Sequence, residues 1–163
     1  MDDFTALYAA LERPLGRYLW TFVRDSATAD DLLQEAFLQI HRARHTYSPP
    51  RPVKPWVYAI SRHVALMYLR SRRRRREDVP REDLPEVPVP PSADATGDRA
   101  TLEKLLHTLP RASQEVLVLH HLLGLSFHEV GRVVGVSAGT AKVRAHRAFH
   151  SLRKRAAEDG GEP

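Results

Sequence analysis

Apolar positions along the chain recur at three- and four-residue spacing, the period of a helix with one buried face, and no strand-like alternation of useful length occurs. Phe4, Leu7, Tyr8 and Leu11 make one short face, and Leu15, Leu19, Phe22 and Val23 make another. Pro14 between them predicts a break or a new first turn. Thr28-Ala-Asp-Asp31 reads as a capping box leading into Leu32, Leu33, Ala36, Phe37 and Ile40. Asp30 and Asp31 in that first turn suit the positive end of the helix dipole. The stretch Tyr47–Pro55 holds four prolines and must be a loop. Pro55 then serves as the first position of a helix displaying Val57, Ile60, Val64 and Met67 and ending in Arg70–Arg76.

The same period returns after residue 98. Leu102, Leu105, Leu106 and Leu109 form a stripe stopped by Pro110, and Val116, Leu117, Leu119, Leu122 and Leu123 form the next, ended by Gly124. Ser126-Phe-His-Glu129 is a second capping box, opening a short helix with Phe127, Val130, Val133 and Val134. Gly135-Val136-Ser137 reads as a tight turn with an N-cap serine, and the last helix is expected to bury Ala141, Ala145, Ala148, Phe149 and Leu152. Between the halves, residues 77–97 carry five of the chain's twelve prolines and too few apolar residues for a core. They read as a stiff, extended linker. The predicted fold is all-α, in two small helical domains joined by a Pro-rich acidic linker.

Composition narrows the class. Within 163 residues the hydrophobic fraction is 42%, aromatics are only 7% and cysteine is absent. That excludes wholesale disorder, a disulfide framework and Cys-ligated metal or cluster sites. No apolar run approaches the roughly 20 residues that cross a bilayer. The start, Met1-Asp2-Asp3-Phe4, lacks a signal peptide's basic and apolar segments, so a cytoplasmic protein is expected. The net charge of +5 is unevenly spread: +5 over residues 1–79, −4 over 80–98 and +4 over 99–163. Two basic bodies flank an acidic strip, the distribution expected of a chain with two nucleic-acid contacts.

A short capped helix, a four-residue turn and a longer basic helix describe a helix-turn-helix. Arg132 to Arg155 holds seven basic residues and no acidic one. Lys142, His146 and Arg147 are the base-facing candidates, while Arg144, Arg153 and Lys154 suit phosphate. In the first half, Tyr47, Trp56, Tyr58, Arg62 and His63 precede six arginines in the seven residues 70–76. Aromatic rings interleaved with cations suit single-stranded DNA, where bases stack while the backbone is neutralised. Trp56 is expected to be mainly structural, with the loop and arginines touching DNA. Asp30-Asp-Leu-Leu-Gln-Glu-Ala-Phe37 is acidic on one face, which either compensates the helix dipole or docks a basic protein. His120-His121 and His146-x-x-x-His150 are the only spacings that hint at metal, without cysteine or a carboxylate cluster beside them. No phosphate-binding loop, nucleophile elbow or paired carboxylates occur, so a non-enzyme without cofactor or metal is expected.

Several of these stretches resemble bacterial extracytoplasmic-function RNA polymerase sigma factors of the sigma-70 family. Asp30–Phe37, Arg51-Pro-x-x-Pro-Trp56-Val-Tyr-Ala-Ile60 and Leu69-Arg70 are similar to the family's domain 2. Leu109-Pro-x-x-x-x-x-Val116, Gly124-Leu-Ser-Phe-x-Glu129-Val, Gly139-Thr-Ala-Lys-Val-Arg144-x-x-Arg147-Ala and Leu152-Arg are similar to domain 4, in the right order and separation. The resemblance implies domain 2 over residues 1–76, a linker over 77–97, domain 4 over 98–157 and a tail over 158–163. It implies a promoter-recognition subunit that binds core RNA polymerase and directs initiation. Asp30, Asp31, Leu32, Gln34, Glu35 and Phe37 would dock on the β′ coiled coil. The loop Thr46–Lys54 and the helix from Trp56, with Tyr47, Arg51, Lys54, Trp56, Tyr58, Arg62, His63 and Arg70, would capture a base extruded from the melted non-template strand at the minus-ten element. Ser137, Thr140, Lys142, Arg144, His146 and Arg147 would read the duplex minus-thirty-five element while the same domain touches the β flap. The acidic linker would run through the polymerase cleft. No extra C-terminal domain is seen, so regulation by a fused module is not expected; the resemblance implies control by an anti-sigma factor clamped between or around the two domains. The chain departs from the family pattern at His63, where Asn is common, at Met67, where an acidic residue is usual, and at Val143, in place of a small polar residue. A helix-turn-helix regulator acting without polymerase is the competing reading.

Overall fold

The computed structural model describes residues 3–77 and 97–160, and all its described regular elements are helical. The chain divides into two units, residues 1–90 and 91–163. The linker predicted over 77–97 lies almost wholly outside the described residues, only Glu77 and Gly97 falling within them.

Three helices build the first unit: α1 (Asp3–Val23), α2 (Ser26–Ala43) and α3 (Val53–Glu77). Burial of Leu11, Leu15, Tyr18, Leu19, Phe22 and Val23 carries α1 straight through Pro14, where a break was expected. Proline removes a single backbone donor, the one that would serve the Ala10 carbonyl, and Ala10 is exposed where water can replace it. Packing of Leu11 and Leu15 on either side outweighs the local cost. Tyr18 and Tyr58 cross edge-to-face at 5.4 Å in the centre of the unit, with Phe22 5.1 Å from Tyr18. Pro55 is the third residue of α3 rather than its first, still within the turn whose N–H groups have no helical partner.

The start of α2 lies upstream of the predicted capping box. Arg24 adopts a left-handed conformation (φ 53°), and Asp25 caps the helix by accepting the Thr28 N–H at 3.0 Å. Bonds from the Thr28 hydroxyl and N–H hold the Asp25 carboxyl below its usual range. Asp30 and Asp31 therefore sit in the second turn.

The second unit comprises α4 (Asp98–His107), α5 (Arg111–Leu117), a π-helical turn (Val118–Leu122), α6 (Phe127–Val134) and α7 (Ala138–Asp159). Leu105, Leu109, Val116, Leu117, Val118, Leu119, Leu125, Val130 and Val133 are buried around the small side chains Ala141, Ala145 and Ala148. The π turn widens the helix and shifts its register, so Leu122 leaves the predicted core and is 58% exposed, while Leu125 is buried. Phe149, expected inside, is likewise exposed and lies against His121 at 5.4 Å. Among the described residues no helix is long and apolar enough to cross a membrane.

Candidate nucleic-acid interface

In the second unit the capping box forms as expected: Glu129 N–H donates to Ser126 Oγ and Ser126 N–H donates to Glu129 Oε1, both at 3.1 Å. Gly135, at φ 79°, closes α6, and the N–H groups of Gly135 and Val136 both donate to the Gly131 carbonyl at 2.9 Å. Ser137 then caps α7 by accepting the Thr140 N–H at 3.1 Å, and its hydroxyl lies 2.9 Å from Thr140 Oγ1. These bonds set two helices around a tight turn, the geometry that offers the start of the second helix to a major groove. With Ala141, Ala145 and Ala148 turned inward, Thr140, Lys142, Val143, His146 and Arg147 stand on the exposed side of α7. Arg144 is half-buried at the flank of that strip. Ser137 holds the helix end with its hydroxyl.

Behind the strip, the π turn brings histidines and aromatic rings together. His120 stacks on Phe127 at 3.8 Å and its Nδ1 lies 2.7 Å from the Leu125 carbonyl, while Phe127 lies 6.4 Å from the His146 ring. Burial, then repulsion from His120 and His146, lowers the His121 pKa. Folding thus favours neutral His121, so its contribution is intact above the free-histidine range near 6.5 and is lost as pH falls through the lowered folded value. Thermal melts from pH 7.5 to about 5.5 should show an acid-side loss of stability, and His121→Gln should shrink it. An unchanged slope in the variant would assign the loss to other groups. Among the described residues no three His, Cys, Asp or Glu side chains gather closely enough to hold a metal.

In the first unit, Tyr47 follows a 3-10 turn (Arg44–Thr46), and its hydroxyl donates to the Arg51 carbonyl at 2.6 Å. Its ring meets half-buried Trp56 at 5.3 Å, so the loop is pinned to the first turns of α3 by an aromatic pair. Helical spacing puts Trp56, His63, Met67 and Arg70 on one line along α3, the last three exposed. Arg51 and Lys54 are exposed beside the pair, and Arg62 is half-buried. Tyr58 does not join them. It is 1% exposed, and burial pushes its phenol up to about 12, so the expected DNA contact is replaced by a place in the core. Beyond Arg70 the arginines continue the helix, Arg73 pairing with Glu77 at 3.2 Å.

The acidic face of α2 is equally well sorted. Asp30, Asp31, Gln34 and Glu35 are exposed, and Gln39 Nε2 donates to Glu35 Oε1 at 2.9 Å. Leu32 and Phe37 are buried beneath them, Phe37 lying 4.4 Å from Tyr8. Leu38 was missed in the sequence reading. It is exposed and continues the Asp31, Gln34, Glu35 line at the next helical step. Because the dipole effect fades beyond the first turn, Asp30 and Asp31 are poorly placed to serve it.

Comparison with known proteins follows this division. The sigma-70 region 2 model matches residues 7–75 and the sigma-70 region 4 model matches residues 99–152. The chain is 35% identical to the RNA polymerase sigma factor CarQ of Myxococcus xanthus over 155 residues, covering 94% of this chain and 88% of that protein. It is 33% identical to the RNA polymerase sigma-E factor of Streptomyces coelicolor, covering 81% and 73%. In fold it is similar to the sigma factor RpoE crystallised with the anti-sigma factor NepR from Bartonella quintana, at TM-score 0.81 and 21% identity, covering 94% of this chain and 96% of that one. It is also similar to CnrH in complex with the cytosolic domain of CnrY, at TM-score 0.70 and 24% identity, covering 98% and 89%.

Proposed function

Since the chain belongs to the extracytoplasmic-function group of RNA polymerase sigma factors, we propose that its separate surfaces divide the work of promoter recognition among polymerase, duplex and melted strand. As a sigma factor it binds core polymerase and directs promoter-specific initiation, and the polymerase supplies the chemistry in the cytoplasm. Asp30, Asp31, Gln34 and Glu35, with Leu38 beside them and Leu32 and Phe37 supporting them from below, meet the β′ coiled coil. Lys142, His146 and Arg147 read the minus-thirty-five duplex, Thr140 and Arg144 flank them, and Ser137 fixes the helix start. The same unit touches the β flap. Tyr47, Trp56, Arg51, Lys54, Arg62, His63 and Arg70 hold the melted minus-ten strand.

One observation carries this reading: the Tyr47–Trp56 pair, at 5.3 Å, sits among exposed cations on a different unit from the helix-turn-helix. A duplex-only regulator has no use for a stacking platform, whereas a strand that must be unstacked as it melts does. An anti-sigma factor that covers these surfaces is the proposed control. It is supported by the fold shared with the sigma factor RpoE, which was crystallised with the anti-sigma factor NepR.

Transcription of fragmented genomic DNA by core enzyme tests the reading. Discrete start sites should appear only when the protein is added, and single-residue changes at Tyr47 or Trp56 should block melting more than duplex binding. Binding of a palindromic duplex without polymerase, and no specific initiation with it, would overturn it.

A further inference from the structure

We propose that Val143 is a specificity-determining residue that reads the 5-methyl group of a thymine in the upstream promoter element. The inference rests on α7 being the duplex-reading helix. At about 100° per residue, Val143 lies about 160° around the helix from Ala141 and Ala145, directly opposite the packed side. It is 48% exposed, in the second turn, where a recognition helix meets base edges. Its exposed neighbours on this strip are Thr140, Lys142, His146 and Arg147, all polar. A helical side chain leans over the turn before its own Cα, which for Val143 is the turn that holds Gly139. No side chain stands there, and even an added Cβ would meet nothing nearer than Ser137 Oγ at 4.0 Å. The result is an apolar knob beside a gap, framed by the exposed polar side chains Thr140, Lys142, His146 and Arg147.

Valine can neither donate nor accept a hydrogen bond, so it contributes nothing to the donor–acceptor readout of its neighbours. It is also a poorer helix former than Ala, Lys or Arg, so helix stability does not explain its presence. The apolar feature that a major groove offers is the thymine methyl. Lys142, His146 and Arg147 can address acceptors such as guanine O6 and N7. Val143 would discriminate thymine from cytosine by shape and desolvation alone.

The test uses core enzyme carrying the full-length protein. Promoter fragments randomised in the upstream element are selected for binding, and each thymine of the winning sequence is then replaced by deoxyuridine, which deletes only the methyl. At one position the wild-type holoenzyme should lose about fourfold in affinity, the equivalent of ~0.8 kcal/mol for one buried methyl-sized group. Val143→Ala, at an exposed site where alanine favours the helix, should bind the thymine and uracil promoters equally. Val143→Thr, which keeps one methyl, should fall between. A winning sequence without thymine, silent uracil replacement throughout, or full discrimination by Val143→Ala would each overturn the proposal. Failure of the underlying reading would look different, because no sequence would then be selected at all.

Discussion

Gly131→Ala is expected to cost the second unit about 3 kcal/mol or more, and with it upstream DNA binding. The reason is space rather than backbone freedom. A Cβ at Gly131 would lie 2.5 Å from the Val136 carbonyl oxygen, 3.2 Å from Ser137 C and 3.3 Å from Ala138 N. All three are backbone atoms of the turn, so no rotamer change relieves the clash. Helix propensity alone would favour alanine by about 1 kcal/mol. Steric displacement opposes it, because the Gly131 carbonyl also accepts the two N–H bonds that close the turn. Moving the turn moves the Ser137 cap and the start of α7. For a unit of this size, such a loss lowers the melting temperature by about 10 °C or more. The chain supplies its own control, since both tryptophans, Trp20 and Trp56, lie in the first unit. Tryptophan fluorescence should keep its wild-type melt while part of the helical dichroism melts early. Gly139→Ala, with nothing nearer than 4.0 Å, should be neutral or stabilising. A Gly131→Ala protein with wild-type dichroism melts would refute the argument.

What the chain reveals in sequence, and what it hides, separates along physical lines. Periodicity found the helices because a buried face must repeat every three or four residues, and Ser126–Glu129 was readable because a capping box is a local bond between named atoms. Competition between local signals was harder to read. Thr28 and Asp25 both can cap α2, and the winner depends on the left-handed Arg24 that turns the chain out of α1. Pro14 is a breaker only if nothing holds the helix on both sides, and burial of its neighbours is a tertiary fact. Tyr58 shares its local sequence with the aromatics proposed to meet DNA, yet it points to Tyr18 because α3 presents it on the packed side, 200° from Trp56. Leu122 was displaced from the predicted core by a π turn that no residue pattern announces. The site was legible as residue types, charges and helix faces; which aromatic of the first half belongs to the core was not.

The cap at Asp25 also sharpens the second large expectation, that Asp31→Arg abolishes binding to core polymerase while the protein stays folded. Had Asp31 stood in the first turn, reversing its charge would have weakened α2 through the dipole, and lost binding would have been ambiguous. In the second turn it is exposed and does not cap the helix. An arginine there can even pair with Glu35 one turn on, so helicity should hold. At the docking surface the change is severe. A basic partner facing Asp30, Asp31 and Glu35 would meet a like charge, and such juxtaposition costs several kcal/mol, on the order of a hundredfold or more in affinity. Asp31→Asn, which removes attraction without adding repulsion, should lose less, and its loss should fade as salt is raised. Asp25→Ala supplies the complementary case, fraying the helix start while leaving the acidic stripe intact. Pull-down of core enzyme by the purified variants, with dichroism of each, decides the matter. Wild-type retention of core by Asp31→Arg would remove the docking assignment from this face of α2, whereas lost retention with unchanged helicity ties it to charge on that face and to nothing else in the fold.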